Sequence, residues 1–267
     1  MRKLLAFVVL DWQFQRSYRM AALLSVAGIF LPLVGLHFMS KLLGRLDASS
    51  LTPYGGNYMA FLLVGLVVTT YSGVALGASV ASLRGAQIRG TLETMLLTRT
   101  HIATMIVGWS LYPVVRSTLF MAVYLTGGLF LVGVKFQNAN FGGALVVLVL
   151  IVAVLGSLGL ISAAFTLVFK QSDPFTRGVL VAGGLMSGAV FPITLLPGWM
   201  QAVSKVLPQT HALEGVRLAV LRGVPVSDLT LHVGILLIYA GVMLPLSLWL
   251  FQVSMRQAKL DGSLAHY

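Results

Sequence analysis

At 267 residues, the chain has 58% hydrophobic side chains and only 9% charged ones, against roughly a quarter charged in soluble domains. Its mean hydropathy is +0.93, and a soluble fold of that composition would show water large apolar patches and associate. A cytosolic globular enzyme, a disordered chain and a nucleic-acid-binding domain are excluded, despite a net charge of +11.

The basic residues sit singly or in pairs between long apolar runs, where membrane proteins keep their orientation signals, and not along one nucleic-acid-binding stripe. Cysteine is absent, so no disulfide framework, thiolate metal site or cysteine nucleophile can form.

In chain order, Met1-Arg2-Lys3 followed by Leu4–Leu10 imitates a signal peptide. Asp11, Trp12 and Gln13 end the apolar run early, and no small-residue cleavage site follows. Residues 1–19 read as an interfacial helix anchored by Trp12, with Arg16 and Arg19 facing lipid headgroups. Their moderate amphipathic pattern also fits a plain cytoplasmic lead-in.

A helix needs about 20 apolar residues to cross a hydrocarbon core. Six windows qualify: Met20–Met39, Tyr58–Leu83, Ile102–Val134, Phe141–Phe169, Gly178–Leu196 and Leu231–Val253. The strict alternation of a membrane barrel is missing. The expectation is an all-α membrane protein of six transmembrane helices, one domain over residues 1–267, without internal repeat or linker.

With the N-terminus inside, the inner segments carry Arg2, Lys3, Arg16, Arg19, Arg84, Arg89, Arg99, Lys170, Arg177, Arg256 and Lys259. The outer ones carry only Lys41, Arg45, Lys135, Lys205, Arg217 and Arg222. The excess of positive charge inside places both termini in the cytoplasm.

An ion-coupled transporter keeps ionisable groups at bilayer depth. All seven acids, Asp11, Asp47, Glu93, Asp173, Glu214, Asp228 and Asp261, lie outside the apolar windows. Arg116 is the one charge well inside a window; it either snorkels to the cytoplasmic interface past Pro113 or lines a substrate path. No Gly-Lys pair exists, so there is no phosphate-cradling loop, and no metal-binding or nucleophile-elbow motif appears. The five histidines are scattered and read as interface residues. Energy for transport would have to come from another subunit.

Two segments break the pattern of spans and turns. The inner loop 84–99 is too apolar for a turn: Gly90 can end one helix, Thr91 can cap the next, and Glu93 suits its first turn. Leu92, Met95 and Leu96 form one apolar stripe, fit either for a partner's groove or for the lipid surface. The outer segment 191–223 has Pro192 and Pro197 closing the fifth span and Pro208 dividing two short helices. Thr210 is a candidate cap for the second of these, whose apolar face is Leu213, Val216 and Val220, and Gly223 stops it. These pieces read as re-entrant helices narrowing the mouth of a path, or as a packed outer cap.

Together these segments resemble the membrane subunits of ABC-2 type transporters. The inner loop matches that family's pattern at Arg89, Gly90, Thr91, Leu92, Glu93, Leu96 and Thr98, with Arg99 where a proline is usual. The outer segment matches at Ser187, Gly188, Phe191, Pro192, Leu196, Pro197, Trp199, Pro208, Leu213 and Arg217. The resemblance implies a plasma-membrane (inner-membrane) permease working with an ABC ATPase subunit and a second copy of itself or a similar permease. The chain itself would hold no cofactor or metal, with ATP and Mg on the ATPase. It further implies a coupling helix at Arg89, Gly90, Thr91, Leu92, Glu93, Met95 and Leu96, and an extracellular gate at Phe191, Pro192, Pro197, Trp199, Pro208 and Arg217. The expected function is export of an amphipathic small molecule or lipid, or alternatively of a lipid-linked polysaccharide. A membrane scaffold or intramembrane enzyme is disfavoured because no catalytic constellation is visible.

Overall fold

The computed structural model describes residues 31–38, 57–91, 102–132, 139–169 and 174–260, with single helical positions at 9, 13, 20, 24, 28 and 41. The proposed anchor Trp12, Arg16 and Arg19 and the loop residues Leu92, Glu93, Met95 and Leu96 lie outside the described residues.

The described residues form an all-helical bundle. Helix α1 covers 31–38; α2, α3 and α4 are Tyr58–Ile88, Ile102–Val132 and Phe141–Phe169. Helix α5 is Pro174–Met186, α6 is Gly198–Val206, α7 is Pro208–Arg222 and α8 is Thr230–Leu260. Among the described residues four helices, α2, α3, α4 and α8, are long and apolar enough to cross a membrane. The three of 31 residues reach roughly 46 Å at 1.5 Å per residue, well beyond a hydrocarbon core.

The fifth expected span, Gly178–Leu196, is not one helix. Helix α5 has 13 residues and ends at Met186, because Gly188 takes the left-handed region at φ 80° and Pro192 cannot rejoin a helical ladder. A 3-10 turn at Ile193–Leu195 then leads into α6.

Helix α4 is the central post, packed along α2, α7 and α8. Its Val147, Ile151 and Leu155 join Val64 and Val68 of α2, Leu213 and Val216 of α7, and Leu236 of α8 in one buried cluster. A second cluster toward the other end joins Leu83 of α2, Trp109 of α3, Leu167 of α4 and Phe251 of α8. The closest crossing is at Gly159, where a Cβ would run into the Leu76 carbonyl.

Between α2 and α3, hydroxyls supply the specific contacts, as expected where lipid removes the hydrophobic drive between helices. Tyr71 pairs with Thr118 at 3.3 Å, and Ser79 with Ser110 at 3.5 Å. Pro113 lies inside α3 and has no N–H for the Trp109 carbonyl four residues back. Ser82 Oγ donates to that carbonyl instead, at 3.1 Å. The helix therefore continues through the proline. Arg116 is half-buried, with its guanidinium 4.9 Å from the Phe120 ring centroid.

Asn140 ties the start of α4 to the end of α7. Its Oδ1 caps α4 by accepting from Gly143 N at 3.0 Å, and its Nδ2 donates to the Val224 carbonyl just beyond α7.

Candidate functional site: an interrupted segment after α5

Residues 187–197 leave the α-helical ladder at the end of the bundle, where each unpaired backbone group in an apolar setting costs several kcal/mol. Side chains answer for the freed carbonyls one by one. Arg217 of α7 donates from Nη1 to Gly188 O at 2.8 Å and from Nη2 to Ala189 O at 2.9 Å. Tyr58, the first residue of α2, donates to Val190 O at 3.0 Å. Gln201 Nε2 donates to Leu196 O at 2.8 Å and to Thr194 O at 3.3 Å. The last carbonyls of α6 receive His211 Nε2 at Lys205 O (2.8 Å) and Tyr239 Oη at Val206 O (2.6 Å).

Arg217 is the centre of this arrangement. It is only 2% exposed, it reaches Phe61 O of α2 at 3.3 Å, and its guanidinium lies 3.4 Å from the Phe61 ring centroid. A cation at the end of α5 also suits the negative pole of that helix. Gly65 makes room: a Cβ there would collide with the Ala189 carbonyl. One side chain thus fastens α7, the turn after α5 and the head of α2. Arg217 is legible in this segment from the sequence, whereas Tyr58, Phe61 and Gly65, which complete the clamp, lie more than a hundred residues away and carry no local signal.

The two short helices fall where Pro208 divides them, with lengths of 9 and 15 residues. Leu213, Val216 and Val220 are all buried, as their spacing predicts. Gly223 ends α7 at φ 69°. Thr210 does not cap: α7 begins two residues earlier, with Leu207 as N-cap and Pro208 in the first turn, because proline is pre-organised for that position. The Thr210 hydroxyl instead meets Ser204 Oγ at 3.3 Å.

Of the gate candidates, Pro192 is buried, Phe191 and Pro208 are half-buried, Pro197 is exposed, and Trp199 is 68% exposed. Trp199, Leu195 and Val203 project from the segment without cover inside the subunit. Beneath α7, an apolar cavity of about 360 Å³ is walled by Leu155 of α4, by Phe175 and Gly183 of α5, and by the buried Gln209.

At the far end of α2, Gly90 has φ 67°, ending the helix as expected. Arg89 is the C-cap of α2. The Thr91 hydroxyl donates back to Ala86 O at 3.3 Å.

Among the described residues no group of three or more His, Cys, Asp or Glu side chains could hold a metal ion. What the geometry presents is a bundle of apolar helices with an irregular cap at one end, whose carbonyls at Gly188, Ala189 and Val190 are met by side chains.

Residues 5–221 match the family model described as ABC-2 type transporter. Nodulation protein J of Sinorhizobium fredii is 28% identical over 246 residues, covering 88% of each chain. Nodulation protein J of Rhizobium leguminosarum bv. viciae is 26% identical over 85% of this chain and 86% of its own. The inner membrane transport permease YadH of Escherichia coli K12 is 24% identical over 78% of this chain and 80% of its own. With a family match spanning most of its length and helices able to cross a bilayer, the chain belongs to the ABC-2 type transporter family as an integral membrane permease subunit.

Proposed function

We propose that this permease exports an amphipathic small molecule or lipid from the cytoplasm or inner leaflet, along a path between two copies of the chain, driven by a separate ABC ATPase. In this reading six helices cross the inner membrane with both termini cytoplasmic; the first span is Met20–Met39, and α5 with its interrupted continuation fills the fifth position. The observation that carries the reading is the capped break after α5, in a chain whose family works with an ABC ATPase. Irregular backbone at membrane depth is tolerated only where protein or a cavity covers it. The cavity beneath α7, apolar with Gln209 at its edge, suits a ligand with a hydrophobic body and a polar end. The uncovered Trp199, Leu195 and Val203 suit a second copy meeting this one over the path.

ATP and Mg belong on the partner in this scheme. The loop after Gly90, with Leu92, Met95 and Leu96 on one stripe and Glu93 in its first turn, docks on the ATPase; its closure tilts the two bundles as rigid bodies. The purified chain alone is expected to hydrolyse no ATP, and co-expression with its ATPase should give ATP-dependent outward movement of a fluorescent lipid in proteoliposomes. Turnover by the isolated chain would end the proposal. Leu92→Asp or Leu96→Asp should lose the ATPase on co-purification while membrane insertion persists. Retention of the ATPase at wild-type levels would place that stripe on lipid instead.

The gate has its own test, made simple because the chain has no cysteine. Cysteines introduced at Phe191 should cross-link two copies in the resting complex and less so during turnover. No cross-link, together with normal leak-free transport by Phe191→Ala, would make the segment a structural cap.

A further inference from the structure

His211 and His232 are 21 residues apart in sequence but meet ring to ring, with centroids 5.6 Å apart and Nδ1 3.4 Å from Nδ1. His211 is on α7 and His232 is in the first turn of α8, so the pair joins the clamped outer helix to the head of the last span. Backbone geometry seats it closely: a Cβ on Gly215 would lie 3.6 Å from the His232 Cβ and against Val147 of α4.

The hydrogen-bond partners fix the protons. His211 Nε2 faces the Lys205 carbonyl, which can only accept, so Nε2 carries a hydrogen and the neutral ring keeps a lone pair on Nδ1. His232 then donates its Nδ1–H to that lone pair. A first proton can enter the pair on the distal His232 nitrogen, or pass across to His211, without loss of the bond. A second proton leaves N–H facing N–H and cation facing cation at contact distance. That state requires the rings to separate.

We infer that the His211–His232 contact is a pH-operated latch between α7 and α8, closed near neutral pH and opened by acid. Charged groups approach the pair from several elements. From α6 comes Lys205, whose ammonium adds positive charge. On α7 are Glu214, one turn beyond His211 and half-buried, the exposed Arg222, and Arg217, which points away to α2. In the turn before α8 is Asp228, which accepts from the Ser227 hydroxyl at 3.1 Å. Helix α4 carries no titratable side chain. One proton is tolerated and two are not.

The sign follows from proton counting. The closed latch binds one proton fewer than two separated imidazoles, so it is favoured as pH rises and lost as pH falls through the range where the pair takes up its second proton. Each pH unit below that range shifts the closed-to-open ratio by up to about tenfold. Opening frees one side of α7 while Arg217 still holds the other, so the outer cap would pivot about the clamp. That the latch senses the outside medium rests on the orientation proposed above; the latch itself does not.

The test uses the full chain in lipid nanodiscs, where both faces see the same buffer. Amide hydrogen exchange of residues 207–222 is compared between wild type and His211→Gln at equal pH, which cancels the intrinsic pH dependence of exchange. Protection in wild type should exceed that of the variant about tenfold at pH 7.5 and equal it at pH 5. His232→Gln should behave like His211→Gln, and histidine ¹⁵N spectra of wild type at pH 7.5 should show one Nε2–H and one Nδ1–H ring for the pair. A ratio that does not change with pH overturns the latch, and so does the same tautomer on both rings. Loss of the effect on adding EDTA overturns it as well, by showing that a metal ion bridges the rings. Acidifying only the outside of right-side-out vesicles then tests the orientation separately, since a silent outer face with a responsive nanodisc faults the orientation alone.

Discussion

Arg217→Met should collapse the end of the subunit around Gly188 while leaving the opposite half of the bundle folded. The substitution keeps most of the side-chain volume but strips charge-assisted donors from the carbonyls of Gly188, Ala189 and Phe61, all buried around it. A charge-assisted bond is worth about 1.5–3 kcal/mol, and an orphaned buried acceptor costs about 1–3 kcal/mol. The expected loss is therefore about 3–5 kcal/mol, a large part of the stability of any domain. Hydrogen exchange should rise first at 187–207 and along α7, and protection at the Trp109–Phe251 end should persist. Arg217→Lys should recover only part of the loss, because an ammonium cannot span neighbouring carbonyls in one plane and stack on the Phe61 ring at once. Equal stability for the Met variant and wild type would show that the outer segment holds its shape without the clamp.

How far that clamp could be read from the sequence depends on which physics each feature uses. Helices α2 and α4 are legible as unbroken apolar runs, since length and hydrophobicity alone make a span. The division at Pro208 and the stop at Gly223 are legible because proline and glycine act locally. The fifth window misleads because hydropathy sums over Ser187, Gly188 and Pro192 as though they were helical, while a single positive φ at Gly188 ends the helix. Thr210 misleads for a related reason: hydroxyl capping competes with proline's preference for the first turn, and proline wins. The least legible features are long-range. Arg217 lies in a segment marked out by its prolines, yet its partners come from α2 and from the turn after α5. His211 and His232 each read as isolated interface residues until the chain folds.

A last expectation concerns the post that the outer cap stands on. Gly159→Val should disrupt the α2–α4 crossing more than any other glycine substitution along α4. Two helices can pack this closely only where small residues let their backbones approach, and at Gly159 the obstacle to a side chain is the Leu76 backbone carbonyl, which no rotamer change can move. Overpacking of this kind typically costs about 1–3 kcal/mol, and here relief requires α2 and α4 to part along their buried cluster. The cost should appear as a lower thermal midpoint for the detergent-solubilised subunit and as reduced yield. Gly77, one residue beyond Leu76 on α2, supplies the contrast, because a Cβ there meets nothing within 4 Å in the subunit. Gly77→Ala should therefore leave the isolated subunit unharmed or slightly stabilised, since alanine is the better helix former by about 1 kcal/mol. If Gly77→Ala instead harms only the assembled transporter, another chain covers that face of α2, as a path between two copies requires. If Gly159→Val proves as stable as wild type, α2 and α4 can slide at this crossing, and α4 is not the fixed post against which the outer cap moves.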